Sequence, residues 1–311
     1  MVKEAGNLPK GYSEIGDDVA WIPVSEGKLV LKVDMLVQHT DVPSGMTLRQ
    51  AARKAVAMCV SDFAAKGARP DSFMVSLGLV KSITQAGVNA LASGFRDAQR
   101  EWGVRMVGGD TNEADELVID CAMVGFAKKI VPRGGARPGE VVVVTGPFGY
   151  TPAGLMILGG RGKAVPRFSF RARSSVLEPT PNLRVGLALA PYLSSAMDSS
   201  DGLARSLHTI ARESRVGFEV TRLPLGSGVA EFATTNGLDP ERLVLEGGEE
   251  YVIVGTIARS KLAAARRAAA NAGGTIIEIG QTTSHAGRVD LRRGKEVRRI
   301  KDTGWTHLSR R

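Results

Sequence analysis

The run RGGARPGE (133–140), followed at once by VVVVTG (141–146), divides this 311-residue chain in two. Gly and Pro at that density mark a connection between elements. The four valines after it read as a strand buried on both faces. Upstream, strand-like segments at 29–34, 71–80, 104–107 and 117–127 alternate with helical spacing at 47–66 and 84–102. Thr47 is placed as an N-cap and Gly67 as a C-terminal stop. Downstream, helices are expected near 152–160, 182–191, 202–213, 227–236 and 260–272, and a polar, Arg-rich loop at 161–175. Strands are expected at 216–220 and 250–256, and a strand-like end at 275–281, 287–291 and 296–300. Alternation of this kind predicts α/β or α+β layers. The break near 138 predicts two domains, 1–137 and 138–311. No short-period repeat is present, which argues against a solenoid.

Composition narrows the function classes. Hydrophobic residues make up 43% and charged residues 23%, as in ordinary globular domains, whereas aromatics are only 5% and glycines number 37. The formal net charge of +9 invites a nucleic-acid reading. Residues 288–311 carry +6 of it, with no aromatic interleaving and no helix-turn-helix pattern, so no nucleic-acid partner is expected. Cys59 and Cys121 have neither CxxC nor zinc spacing and read as buried thiols of a reducing, cytoplasmic compartment. No apolar run approaches a membrane span, and the first six residues lack a signal core. The four histidines, at 39, 208, 285 and 307, show no ligand spacing.

The informative residues are carboxylates in turn-like, Gly/Ser-rich contexts: Asp17-Asp18 after Gly16, Asp34 closing LVLKVD, Asp110 in GGDT, and Asp198 and Asp201 in DSSDG. Asp62 instead sits inside an apolar helical run, where an unpaired carboxylate is costly. Hard cations such as Mg²⁺ take oxygen ligands, usually a few carboxylates plus phosphate and water. Acids delivered from several strand ends therefore point to a metal site handling a phosphate-rich ligand. P-loop, dinucleotide GxGxxG and protein-kinase signatures are absent. The turn TGPFGYTPAG (145–154) offers backbone N–H groups that could cradle an anion.

Taken in order, GDDVA (16–20), VDMLV (33–37), VSDFAAKGARP (60–70), GGDTN (108–112), RGGARPGE (133–140), VTGPFGYTPAGL (144–155), MDSSDGLA (197–204), LEGGEEY (245–251) and GW (304–305) resemble the thiamine-monophosphate kinase family of PurM-like ATP enzymes across nearly the whole chain. The resemblance implies a two-domain PurM-like fold in a homodimer whose N-terminal sheets pair, with the active site between the N- and C-terminal domains. It implies ATP as co-substrate, several Mg²⁺ ions, and transfer of the γ-phosphoryl group onto thiamine monophosphate. It assigns Asp18, Asp34, Asp62, Asp110, Asp198 and Asp201 to metal, and Gly109, Asp110, Arg133 and Ser200 to ATP. Glu249 and Trp305 go to substrate. No general base is implied, since a phosphate acceptor is already ionised near neutral pH.

The chain departs from the pattern at four places. Lys32 and Val33 stand where many members carry Ser/Thr that can touch metal, and Asp41 stands where many carry a substrate-contacting His, the nearest here being His39. Glu250 replaces the commoner Asp, and Asn112 a Thr. Related enzymes fit less well: a selenophosphate synthetase is expected to carry a reactive Cys near its start, and the hydrogenase-maturation dehydratase one in its tail. Here Cys59 lies within a helix and the chain closes on Leu308-Ser309-Arg310-Arg311.

Overall fold

The computed structural model describes residues 12–13 and 16–306; the first six residues, read as lacking a signal core, His307 and the tail 308–311 lie outside them. The first half runs β1 (Ala20–Val24), β2 (Gly27–Val37), α1 (Gln38–Asp41), α2 (Leu48–Lys66), β3 (Arg69–Leu79), α3 (Gln85–Trp102), β4 (Arg105–Glu113) and β5 (Val118–Ala127). The second begins with β6 (Val141–Val144), α4 (Tyr150–Leu158), α5 (Pro166–Leu177), α6 (Leu183–Leu189), β7 (Leu193–Asp198), α7 (Leu203–Ser214) and β8 (Gly217–Val220). It continues through α8 (Val229–Thr235), α9 (Pro240–Glu246), β9 (Ile253–Ile257), α10 (Leu262–Asn271), β10 (Ile277–Thr283), β11 (Val289–Arg293) and β12 (Glu296–Arg299).

Among the described residues the strands form two sheets, ordered β1-β2-β5-β3-β4 and β12-β11-β8-β10-β6-β9-β7. In the first, only β3 and β4 are parallel, and α3 supplies the crossover that a parallel pair requires. Helices α2 and α3 cover one face of this sheet, where Phe63, Phe73, Val75, Leu91, Phe95, Ile119 and Cys121 close a core. Its other face presents Val33, Met35, Met74 and Phe126, each half or more exposed. No helix among the described residues is long and apolar enough to cross a membrane.

Helix α2 belongs to both halves. Thr47 caps it in a reciprocal box with Gln50, and Gly67 ends it at φ 64°. Its Ala/Val-rich sequence is buried almost all round, because Val56, Cys59 and Phe63 pack into the first core while Ala64 and Ala65 join Val141, Val185 and Leu189 of the second half. Small residues make that contact possible. A Cβ on Gly186 would lie 2.1 Å from the Ala64 carbonyl oxygen. Gly186→Ala should therefore cost about 2–3 kcal/mol in urea unfolding, since neither backbone can yield without opening the helix pair.

Several expectations are corrected. The Arg-rich stretch 161–175 is largely helical: Pro166 opens α5, and Phe168, Ala172 and Val176 at four-residue spacing form its buried face. Phe168 stacks on Phe232 with centroids 5.2 Å apart. Strand β7 was masked by its serines, of which Ser195 is buried and hydrogen-bonds Thr256 at 2.9 Å. The GGDTN segment is not a loop after a short strand but the second half of β4. The short elements β1, α1 and α9 had no expected counterpart. The basic C-terminal hairpin is paired: Arg292 faces Glu219 at 2.7 Å, while Arg293 (2.5 Å) and Arg298 share Glu241.

Candidate active site

The site lies where α2 meets β7 and the loops around 200 and 249. Along α2, Lys54, Met58, Asp62 and Lys66 recur every fourth residue and so form one slanting stripe. Lys54, Asp62 and Lys66 are all buried, in a helix whose buried face is otherwise mostly Ala and Val. Strand β2 contributes Lys32 and Asp34 on its inward-facing row, and β7 ends on Asp198.

Asp18, Asp62 and Asp198 come together with carboxylate oxygens within 4.8 Å of one another. Lys66 is fully buried and reaches Asp18 at 2.8 Å, Asp17 at 2.5 Å and the Ala196 carbonyl at 2.7 Å. Arg133 forks onto Asp18, with Nε at 2.7 Å and Nη2 on the same oxygen. Burial alone would raise the Asp18 carboxyl, but these two cations carry it below the usual carboxylate range. Asp62 is different. Burial first, then Asp198, push its proton affinity well up despite Lys32. Asp198 is raised to about 6 by burial and by Asp18, with the Ser61 hydroxyl donating at 2.7 Å in partial compensation. Three buried carboxylates that repel one another, all hard oxygen donors, fit Mg²⁺ or a similar cation.

A cavity of about 220 Å³ opens beside this cluster. Lys32, Asp34, Asp62 and Asp198 line one part, and Asp41, Ser200, Asp201, Glu249, Tyr251 and Trp305 line the rest. The 199–201 turn organises the second group through its backbone. The Ser200 carbonyl accepts from Glu249 N at 2.6 Å and the Asp201 carbonyl accepts from Trp305 N at 3.0 Å. Gly304 permits the latter approach, because a Cβ there would lie 2.2 Å from the Asp201 oxygen. Glu249 takes φ 58°, a left-handed conformation uncommon for a side-chain residue. Buried Lys54 holds it at 2.6 Å and donates to the Asp41 carbonyl at 2.8 Å. Asp41 lines the cavity, its carboxylate accepting from Val37 N and the Thr40 hydroxyl, each at 2.8 Å. His39 turns to Glu116 at 2.7 Å and does not line the cavity.

Gly109 and Asp110 are not brought to the cluster. They lie on the edge strand β4, and Asp110 stands in register with Ser76 and hence with Asp120 on the open face of the sheet. The anion cradle expected at 145–154 is filled by the chain itself: Glu250 accepts from Gly149 N at 2.5 Å and from the Thr151 hydroxyl at 3.2 Å. Burial pushes the Glu250 carboxyl up to about 8, against the pull of those donors. Because the folded value lies above the unfolded one, the stability it contributes is present below pH 4.5 and is lost as pH rises through 8. Glu250→Gln keeps an acceptor and should gain on the parent by about 2 kcal/mol between pH 5 and pH 9 in chemical denaturation.

Sequence reading overlooked Lys54, Lys66 and Ser61. The signal was available, since Lys54, Asp62 and Lys66 at i, i+8 and i+12 share one stripe with the apolar Met58.

Comparison with known proteins agrees with this geometry. Residues 16–127 match the family description "AIR synthase related protein, N-terminal domain". The chain is 40% identical over 280 residues to a thiamine-monophosphate kinase of Nitrosopumilus maritimus, covering 90% of this chain and 89% of the relative. It is 33% identical to the Pyrococcus abyssi protein of the same name, over 95% of this chain and 91% of that one. A solved complex of AaThiL with AMPPCP and TMP superposes with TM-score 0.83 at 26% identity, covering 94% of this chain and 92% of the other. On sequence and fold together, the chain belongs to the thiamine-monophosphate kinase family.

Proposed function

We propose that this chain transfers the γ-phosphoryl group of ATP to the phosphate of thiamine monophosphate, yielding thiamine diphosphate and ADP. The observation that carries the proposal is one cavity lined both by Asp62 and Asp198, two members of a buried carboxylate triad, and by Glu249 and Trp305. Asp18, Asp62 and Asp198, with Asp34 and Asp201 beside them, would hold Mg²⁺ ions, which when bound offset phosphate charge. Phosphoryl transfer of this type asks for positioning and charge neutralisation rather than a strong base. That suits a cavity whose ionisable lining, among the described residues, is Lys32, seven acids and Tyr251. Trp305 presents a flat face to a cationic ring, and Glu249 and Asp41 favour positive charge. Arg133, now on Asp18, is the ATP-contacting candidate and can pass one fork of its guanidinium to a phosphate. Ser200 joins it at the cavity wall.

The proposal extends to assembly. The exposed Val33, Met35, Met74 and Phe126 face, rich in large apolar side chains, is suited to packing against a second copy. Asp110, on that same open face, would then lie at or near the interface, and with Gly109 it remains the ATP-contacting candidate of the first half. Domains 1–137 and 138–311 and a cytoplasmic setting complete the reading. Incubation with ATP, Mg²⁺ and thiamine monophosphate should yield thiamine diphosphate on chromatography. Asp201→Asn should lower turnover at least 100-fold in a folded protein. A folded parent protein that forms no product would overturn the proposal.

A further inference from the structure

The inward row of β2 reads Val30, Lys32, Asp34, Leu36, and a lysine in a core-facing row needs a reason. Its Nζ lies 2.9 Å from Asp62 Oδ2 and 3.2 Å from Asp34 Oδ1, so one ammonium bridges two acids that the family resemblance gives to metal. The side chain is mostly buried yet lines the cavity wall. Lys32 thus sits as an ion-pair partner to both acids at once, in the place where a cation between them would sit.

The other acids are served differently. Asp18 is in contact with Lys66 and Arg133, whereas Asp198 accepts from the Ser61 hydroxyl and lies beside two carboxylates, with Lys32 the cation that acts on it. The three carboxylates of Asp18, Asp62 and Asp198, within 4.8 Å of one another, are the grouping left for a divalent ion. At the Asp34–Asp62 pair an ion would compete with the ammonium for the same lone pairs and be repelled by its charge.

Resting on the metal reading above, we propose that Lys32 is a tethered monovalent cation that takes the bridging position between Asp34 and Asp62, so that the protein loads one divalent ion fewer than its carboxylates would otherwise hold. The lysine also keeps these acids in place before nucleotide arrives. It is thus a positioning residue as well as a substitute for an ion.

The test counts ions. Mn²⁺ bound per protomer is measured by equilibrium dialysis with a saturating non-hydrolysable ATP analogue, and melting is followed in EDTA. Lys32→Arg should bind the same number as the parent. Lys32→Ser and Lys32→Ala should each bind one more. Both neutral variants should also melt lower than the parent in EDTA and gain more on adding Mn²⁺. Equal numbers in the parent and in folded Lys32→Ser would overturn the proposal. Absence of Mn²⁺ from parent and variants alike would overturn the metal reading and the proposal with it, whereas failure to phosphorylate thiamine monophosphate alone would leave the ion count standing.

Discussion

Asp198→Asn is expected to cut turnover by on the order of 1000-fold or more and, at pH 8 in EDTA, to make the protein more stable than its parent. Both effects come from one cause. Asp198 is buried beside Asp18 and Asp62, and its carboxyl is raised to about 6 by burial and by Asp18. A folded value above the unfolded one gives stability that is present below pH 3.8 and lost as pH climbs through 6. Above that the ionised group destabilises the metal-free chain, on the order of 2–3 kcal/mol for a shift of this size. Asparagine removes the charge, and its amide oxygen can still accept from Ser61. The same change deletes a candidate Mg²⁺ ligand, so Mg²⁺ should protect the variant less than the parent. Thermal melts with and without Mg²⁺, beside the kinase assay, check all three points.

Lys66→Met carries the largest expected stability loss, about 3–5 kcal/mol. Lys66 is fully buried at the end of α2 and neutralises Asp17 and Asp18 while donating to the Ala196 carbonyl. Methionine fills the space but leaves buried carboxylates with Arg133 alone, and leaves a carbonyl without its donor. Adding Asp18→Asn to Lys66→Met should recover part of the loss, since one orphaned charge is then removed. Urea unfolding of the four-member cycle measures the coupling. Additive costs would mean that the ion pair contributes nothing of its own.

The sequence made some of this architecture legible and hid the rest for physical reasons. The strand at 141–144 was plain because burial on both faces leaves four valines in a row, and the helix at 48–66 because its Ala/Val-rich body sits between a Thr cap and a Gly stop. Strand β7 was not, because its serines read as a turn in sequence and find their partners, Glu140 for Ser194 and Thr256 for Ser195, on distant segments. Helix α5 was hidden by its arginines, which point outward from a buried face of only three residues. Asp18, Asp62 and Asp198 could be named as acids in odd places, but residues 44 and 136 positions apart in sequence meet only through the packing of α2 on β7. Asp110 resembles the others in sequence, yet β4 sets it on the opposite side of the sheet from Asp34. Lys32 could be noticed as a departure from a family pattern, whereas its bridging position needed coordinates.

The fate of the transferred phosphorus is the most direct test of the account. With [γ-³²P]ATP, Mg²⁺ and thiamine monophosphate, the account predicts label in thiamine diphosphate in step with ADP formation, with little in inorganic phosphate. Label released only as inorganic phosphate, from a folded protein that consumes ATP, would contradict it.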